Sequence, residues 1–114
     1  MLPAAARLRR SDDFRAVSRR GRRSARTPLT LQLLETSAAG PARVGFVVGR
    51  ANGGAVVRNQ LRRRLRHLMG ARLHQLAPGA CLVVRAAPGA AELSSAELAG
   101  RLDAALSRLP AESS

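Results

Sequence analysis

The chain has no lysine, tryptophan or tyrosine, and among its 114 residues there are only two phenylalanines, one cysteine and seven acids. Each shortage excludes something. A single cysteine rules out an internal disulfide framework. Cys81 lies in the apolar run Ala80-Cys81-Leu82-Val83-Val84, so it is expected to be a buried core thiol. Together with His67 and His74 it matches no familiar zinc spacing, and no metal site is expected. Only Asp12 and Asp13 among the acids are adjacent, and neighbours on a helix point about 100° apart. They read as first-turn residues, not as a two-metal pair. No Ser, His and Asp set stands in a recognisable context, so no catalytic residue is expected on this chain. No apolar stretch is long enough to cross a membrane. The arginine- and serine-rich start has some likeness to a transit peptide, but Asp12, Asp13 and Phe14 interrupt it, and a cytoplasmic protein is expected.

What is abundant is arginine, which supplies all 20 basic residues and a net charge of +13. Coding bias can trade lysine for arginine, but it cannot account for 20 bases against seven acids. A surface this positive repels itself until a polyanion neutralises it. Nucleic acid is the expected partner. The planar guanidinium fork binds two phosphate oxygens at once and stacks on bases. The charge falls in two blocks. Residues 7–26 hold nine arginines, and residues 43–72 hold eight and no acid. Two basic blocks separated by an apolar stretch suggest two elements that share one binding face.

The hydrophobic fraction of 46% is enough for one domain with one modest core, spanning 1–114 with termini at about 1–6 and 110–114 expected to be disordered. Residues 11–20 read as a helix capped by Ser11 and stopped by Gly21. Residues 29–34 and 43–48 read as strands paired in a hairpin. Residues 55–76 form the clearest helix, with Val57, Leu61, Leu65, Leu68 and Leu76 at helical spacing, Met69 and Leu73 beside them, and Gly70 tolerated within it. Pro78-Gly79 is a turn, 80–86 a buried strand and Pro88-Gly89 another turn. Ser94 and Glu97 form a capping box before a last helix to about Leu109. The order is α-β-β-α-β-α, an α/β two-layer sandwich of helices on a small sheet.

The informative segment is Gly53-Gly54-Ala55-Val56-Val57-Arg58-Asn59-Gln60-Leu61-Arg62-Arg63-Arg64-Leu65-Arg66. Arg58, Arg62 and Arg66 are spaced by four and fall along one flank, with Asn59 beside them. A solvated helix usually alternates its charges, which helps its own stability. This one has no acid, so its like charges repel until something anionic binds.

The segment resembles the Arg-Asn-Arg helix of the ribonuclease P protein family, in which Gly53, Ala55, Val56, Arg58, Asn59, Leu61, Arg62, Arg63 and Arg66 match. Leu8-Arg9, then Asp13-Phe14-x-x-Val17 before Gly21-Arg22, is similar to that family's N-terminal helix. Arg43-Val44-Gly45-Phe46 is similar to its Arg-Val-Gly-Phe strand, and Gly79, Leu82-Val83-Val84, Arg85 and Ala91 to the strand and turn that follow. The likeness covers about residues 3–109. Gln60 departs from it at the last arginine of the motif, as do Ala51 and Gly54 where lysines are common, and Ser18 and Gln32 where aromatics often line a cleft. With two phenylalanines in the chain, base stacking is expected to be weaker or moved onto arginine planes.

The resemblance implies a left-handed strand–helix–strand crossover, where general rules favour the right-handed form. It implies a subunit of an endoribonuclease ribonucleoprotein that removes the 5′ leader from precursor tRNA, with catalysis supplied by a large RNA and by Mg²⁺ held mainly by that RNA and the substrate. The expected contacts to the catalytic RNA are Arg58, Asn59, Arg62, Arg63 and Arg66, with Arg50 nearby. Those to the leader are Phe14, Arg9 and Arg10. Neither a homodimer nor a DNA or membrane partner is expected. The alternative is a structural RNA-binding protein of ribosomal type.

Overall fold

A computed structural model describes residues 2–109, and the expected disorder of 110–114 lies outside them. Within those residues the order is α1 (Ser11–Arg20), β1 (Arg22–Arg26), β2 (Leu29–Leu34), β3 (Arg43–Val48), α2 (Ala55–Gly70), β4 (Cys81–Ala86) and α3 (Ser95–Arg108), with short 3-10 turns between them. The strands form one sheet in the order β1-β2-β4-β3. β2 runs antiparallel to β1 and β4, while β3 and β4 are parallel neighbours joined through α2.

The expected β2–β3 hairpin is therefore not formed, because β4 lies between the two strands. The reason is burial. Cys81, Leu82, Val83 and Val84 are apolar on both faces, and only an interior strand covers both. β1 was not foreseen. Arg22-Arg23-Ser24-Ala25-Arg26 lacks apolar alternation because it is an edge strand, and charged edges resist pairing with other chains. Its buried residue, Ser24, donates a 2.8 Å hydrogen bond to the Ala105 carbonyl of α3.

The sheet separates two apolar clusters. On one face α2 and α3 cover Leu29, Leu31, Val44, Val48, Leu82 and Val84 with Leu61, Leu65, Met69, Leu98, Leu102 and Leu106. On the other, α1 and the residues before it cover Cys81 and Val83 with Leu8 and Val17, and Phe14 packs against them. The start of the described chain reaches the core. Leu2 and Ala6 are each 1% exposed in the larger cluster, and an alanine-rich stretch this short has no periodicity to reveal that. Leu8 then donates to the Val44 carbonyl at 2.9 Å, which extends the β3 edge.

Two details of α2 differ from the expected helix. It ends at Gly70, where a residue of low helix propensity lets the chain turn, and Leu73 and Leu76 reach the same core from a 3-10 turn. Val57 is 38% exposed and rests on Gly53, so the buried stripe starts at Leu61. Ser11 is the first residue of α1, whose N-cap is Arg10. The capping box of α3 is present, with Glu97 N–H donating to Ser94 Oγ at 3.1 Å and Ser94 N–H to Glu97 at 3.0 Å. Gly79 has φ +81° with its α-carbon against the Ala38 carbonyl, so a side chain is excluded on both counts.

Arg72 ties the end of α2 to α3 by donating to both carboxylate oxygens of Asp103 at 2.6 and 3.2 Å. The hydrogen bond from Arg72 holds the Asp103 carboxyl below the ordinary aspartate range. A carboxyl whose folded value is lowered stabilises the fold above its unfolded value, and that contribution is lost as pH falls through the folded value. Asp103 is half exposed, so the pair is worth less than about 1 kcal/mol. Asp103→Asn is therefore expected to lower the melting temperature slightly at neutral pH. The two proteins should converge in thermal melts as pH drops below the ordinary aspartate range.

Candidate nucleic-acid interface

Spacing by four places Arg58, Arg62 and Arg66 on one flank of α2, as expected. Arg62 donates to Asn59 Oδ1 at 3.0 Å and to the Val48 carbonyl at 3.4 Å, which lays its side chain along the end of β3. Arg58 has a buried Nε with no partner among the described residues. Ion pairs among the described residues engage Arg15, Arg22, Arg43 and Arg72. None of the arginines expected to bind RNA is among them. Arg64 faces another way, donating to Ser95 Oγ at 3.3 Å and to the Leu93 carbonyl, and so serves the fold.

A cleft of about 390 Å³ opens beside the β3 edge, walled by Arg7, Arg9 and Phe14 on one side and Arg62 and Arg66 on the other, with Gly45 and Phe46 at its base. It brings together residues from both expected groups, the α2 flank and the N-terminal set. Burial, Arg7 and Arg62 in that order hold the Arg66 guanidinium below its usual range. Such a cluster repels itself, and an anion in the cleft would relieve it. The Phe14 ring lies directly over the α-carbon of Gly45, where a β-carbon would collide with it.

A second, more open cleft continues past Phe14 between α1 and the sheet. Arg9, Ser11, Arg15, Ser18, Val47 and Arg85 line it. Arg85 projects from the central strand β4 between Thr30 and Val47. Its Nε donates to Gln32 Oε1 at 3.1 Å and its Nη2 to Ser18 Oγ at 2.7 Å.

The remaining expected residues are more scattered. Arg10 is exposed at the start of α1, and Arg50 is exposed in the turn after β3. Arg63 is exposed on the outward side of α2, where it lines a hollow with Arg7, Arg64, Arg66 and His67. Arg7 was not singled out by sequence reasoning, and Arg85 only as part of a family-like strand with no binding role. The signal for Arg85 was a lone charge in a run of buried strand residues. Arg7 offered none, since its place depends on the pairing of the N-terminal segment with β3. Among the described residues no three His, Cys, Asp or Glu side chains gather into a donor set for a metal ion. No helix there is long and apolar enough to cross a membrane.

Comparison with known proteins agrees with this picture. A family model described as Ribonuclease P matches residues 2–110. A protein from Streptomyces bikiniensis called ribonuclease P protein component is 52% identical over 117 residues, covering 96% of this chain and 95% of the relative. One of the same name from Nocardioides is 54% identical over 114 residues, covering 98% and 97%. The fold is that of the RNase P protein of Staphylococcus aureus, with a TM-score of 0.82 at 20% identity over 90% of this chain and 94% of that one. The RNase P protein of Thermotoga maritima gives 0.78 at 24% identity, over 90% and 96%. With the family model matching residues 2–110 and relatives more than 50% identical over nearly its whole length, the chain belongs to the ribonuclease P protein family.

Proposed function

We propose that the chain is the RNA-binding subunit of a ribonuclease P ribonucleoprotein, where it helps a catalytic RNA remove the 5′ leader of precursor tRNA. The observation that carries this reading is the acid-free arginine surface running from the α2 flank into the cleft beside Phe14. Arg50, Arg58, Asn59, Arg62, Arg63 and Arg66 are assigned to the phosphates of the catalytic RNA. Arg9, Arg10 and Phe14 are assigned to the leader. Two polyanions must approach each other, and arginines that displace condensed counterions reduce that repulsion. Asn59 holds the Arg62 guanidinium in place before RNA arrives, so less side-chain freedom is lost on binding.

Cleavage is assigned to the RNA, with Mg²⁺ held by the RNA and the substrate. This chain's described residues include no donor set suited to such an ion, and no step is assigned to a metal held by the protein. The protein's part is binding and orientation. No membrane or DNA partner and no homodimer is invoked, and the cytoplasm is the compartment in which this work would be done.

The test is cleavage of a precursor tRNA at low Mg²⁺ by the protein, by a bacterial ribonuclease P RNA, and by the mixture. The expected result is rapid cleavage by the mixture alone. If the mixture is no faster than the RNA alone, a structural RNA-binding role replaces this one. Cleavage by the protein alone would place an active site on the chain.

A further inference from the structure

We infer that Arg85 is a nucleobase-stacking subsite, at which the flat face of its guanidinium receives one base of single-stranded RNA. The inference rests on the leader-binding reading above and adds a residue and a mode of contact to it. Arg85 lies on the central strand, where its neighbours Cys81, Leu82, Val83, Val84 and Ala86 are buried, yet its own side chain lines the cleft between α1 and the sheet. A charge in such a strand is costly unless it is bonded or used. Its bonds go to Gln32 and Ser18, which are neutral, so the full positive charge stays in the cleft.

Those two bonds leave the Nε–Nη2 edge of the guanidinium and reach different elements, β2 and α1. Together they fix the plane of the group. They also occupy N–H groups that a bidentate phosphate clamp would need. What is left to a ligand is the Nη1 end and the flat face of the group, and the face is the part that suits an aromatic ring. The surroundings agree, since Val47 and Phe14 line the same cleft and give apolar walls. Arg9, which lines the cleft and is not ion-paired among the described residues, is placed for a phosphate beside a stacked base. A chain with no tryptophan or tyrosine has few other planes to offer. An arginine face attracts a π-system and is tolerant of sequence.

The test is a cycle between the protein and the base, in the protein–RNA complex under non-cleaving conditions. Precursor tRNAs carry an abasic nucleotide at each leader position in turn. Binding is measured for the unaltered protein and for Arg85→Lys, which keeps the charge and loses the plane. With the unaltered protein, one abasic position should weaken binding about tenfold, the order expected for one stacked base. With Arg85→Lys, binding of the intact leader should fall by a similar factor, and the same abasic position should then cost nothing more. Affinity for leaderless tRNA and for the catalytic RNA should be unchanged, which a merely structural role would not produce.

If every abasic penalty persists in Arg85→Lys, no base sits on Arg85 and the inference fails while leader binding stands. If the unaltered protein binds precursor and leaderless tRNA equally, the leader-binding reading fails and the inference with it. Should Arg85→Lys melt at a much lower temperature than the unaltered protein, Ser18→Ala carries the same test, because it frees the guanidinium without removing it. The abasic penalty must then shrink at the same position, and an unchanged penalty overturns the inference.

Discussion

Replacing Arg58 and Arg66 together by alanine should weaken binding to the catalytic RNA roughly 100-fold, about tenfold for each charge-assisted hydrogen-bonded pair removed. Neither side chain is ion-paired within the described protein, so the fold loses little. Removing Arg66 also relieves its repulsion with Arg7 and Arg62. Thermal melts should therefore show an unchanged or slightly raised melting temperature in the variant that binds RNA worst. A plot of log affinity against log salt should flatten by about two, since two fewer counterions are displaced. A full loss of affinity with an unchanged slope would mean that these arginines act through the structure of α2. Unchanged affinity would remove α2 from the interface.

Gly45→Ala should be damaging well beyond the size of one methyl group. A β-carbon at Gly45 would run into the Phe14 ring and approach Leu8 at 3.2 Å. The helix bearing Phe14 is also held by Asp13, which accepts from Arg43 at 3.2 Å on the same strand as Gly45. α1 cannot rise without straining that pair. Overpacking of this kind costs about 2 kcal/mol, which for a domain of this size lowers the melting temperature by roughly 10 °C. Preference for precursor over mature tRNA should fall as Phe14 is displaced, whereas affinity for the catalytic RNA, assigned to α2, should change less than about threefold. Adding Phe14→Leu should recover melting temperature without recovering leader preference. An undisturbed melting temperature in Gly45→Ala would show that the ring does not rest on Gly45.

Much of this was legible in residue patterns because the patterns are the physics. β2, β3 and β4 alternate or run apolar because the sheet has buried faces, and Ser94 with Glu97 marks the start of α3 through the bonds they exchange. Arg58, Arg62 and Arg66 shared a flank because the helix repeats every 3.6 residues. Whatever depended on distant neighbours was hidden. β1 owes its place to β2 and to one serine under α3, not to its own composition. The position of β4 between β2 and β3 is a competition among strands, which no local window contains. Leu2 reads as part of a frayed end until the core it fills is seen. The cleft joining Arg7 and Arg9 to Arg62 and Arg66 spans segments more than 50 positions apart, so spacing could suggest one shared face but not which side chains meet there.

The larger apolar cluster contains Leu2 and also Leu109, each 1% exposed. The two stand at opposite ends of the described residues, and translation delivers Leu2 well before Leu109. While α3 is still inside the ribosomal exit tunnel, the emerged portion has a sheet without its second covering helix and a core with one wall missing. During synthesis, stable folding must then wait until α3 has emerged, and in that interval an arginine-rich, partly folded chain is open to any polyanion nearby. Any such early contact competes with the closure of a core that α3 completes.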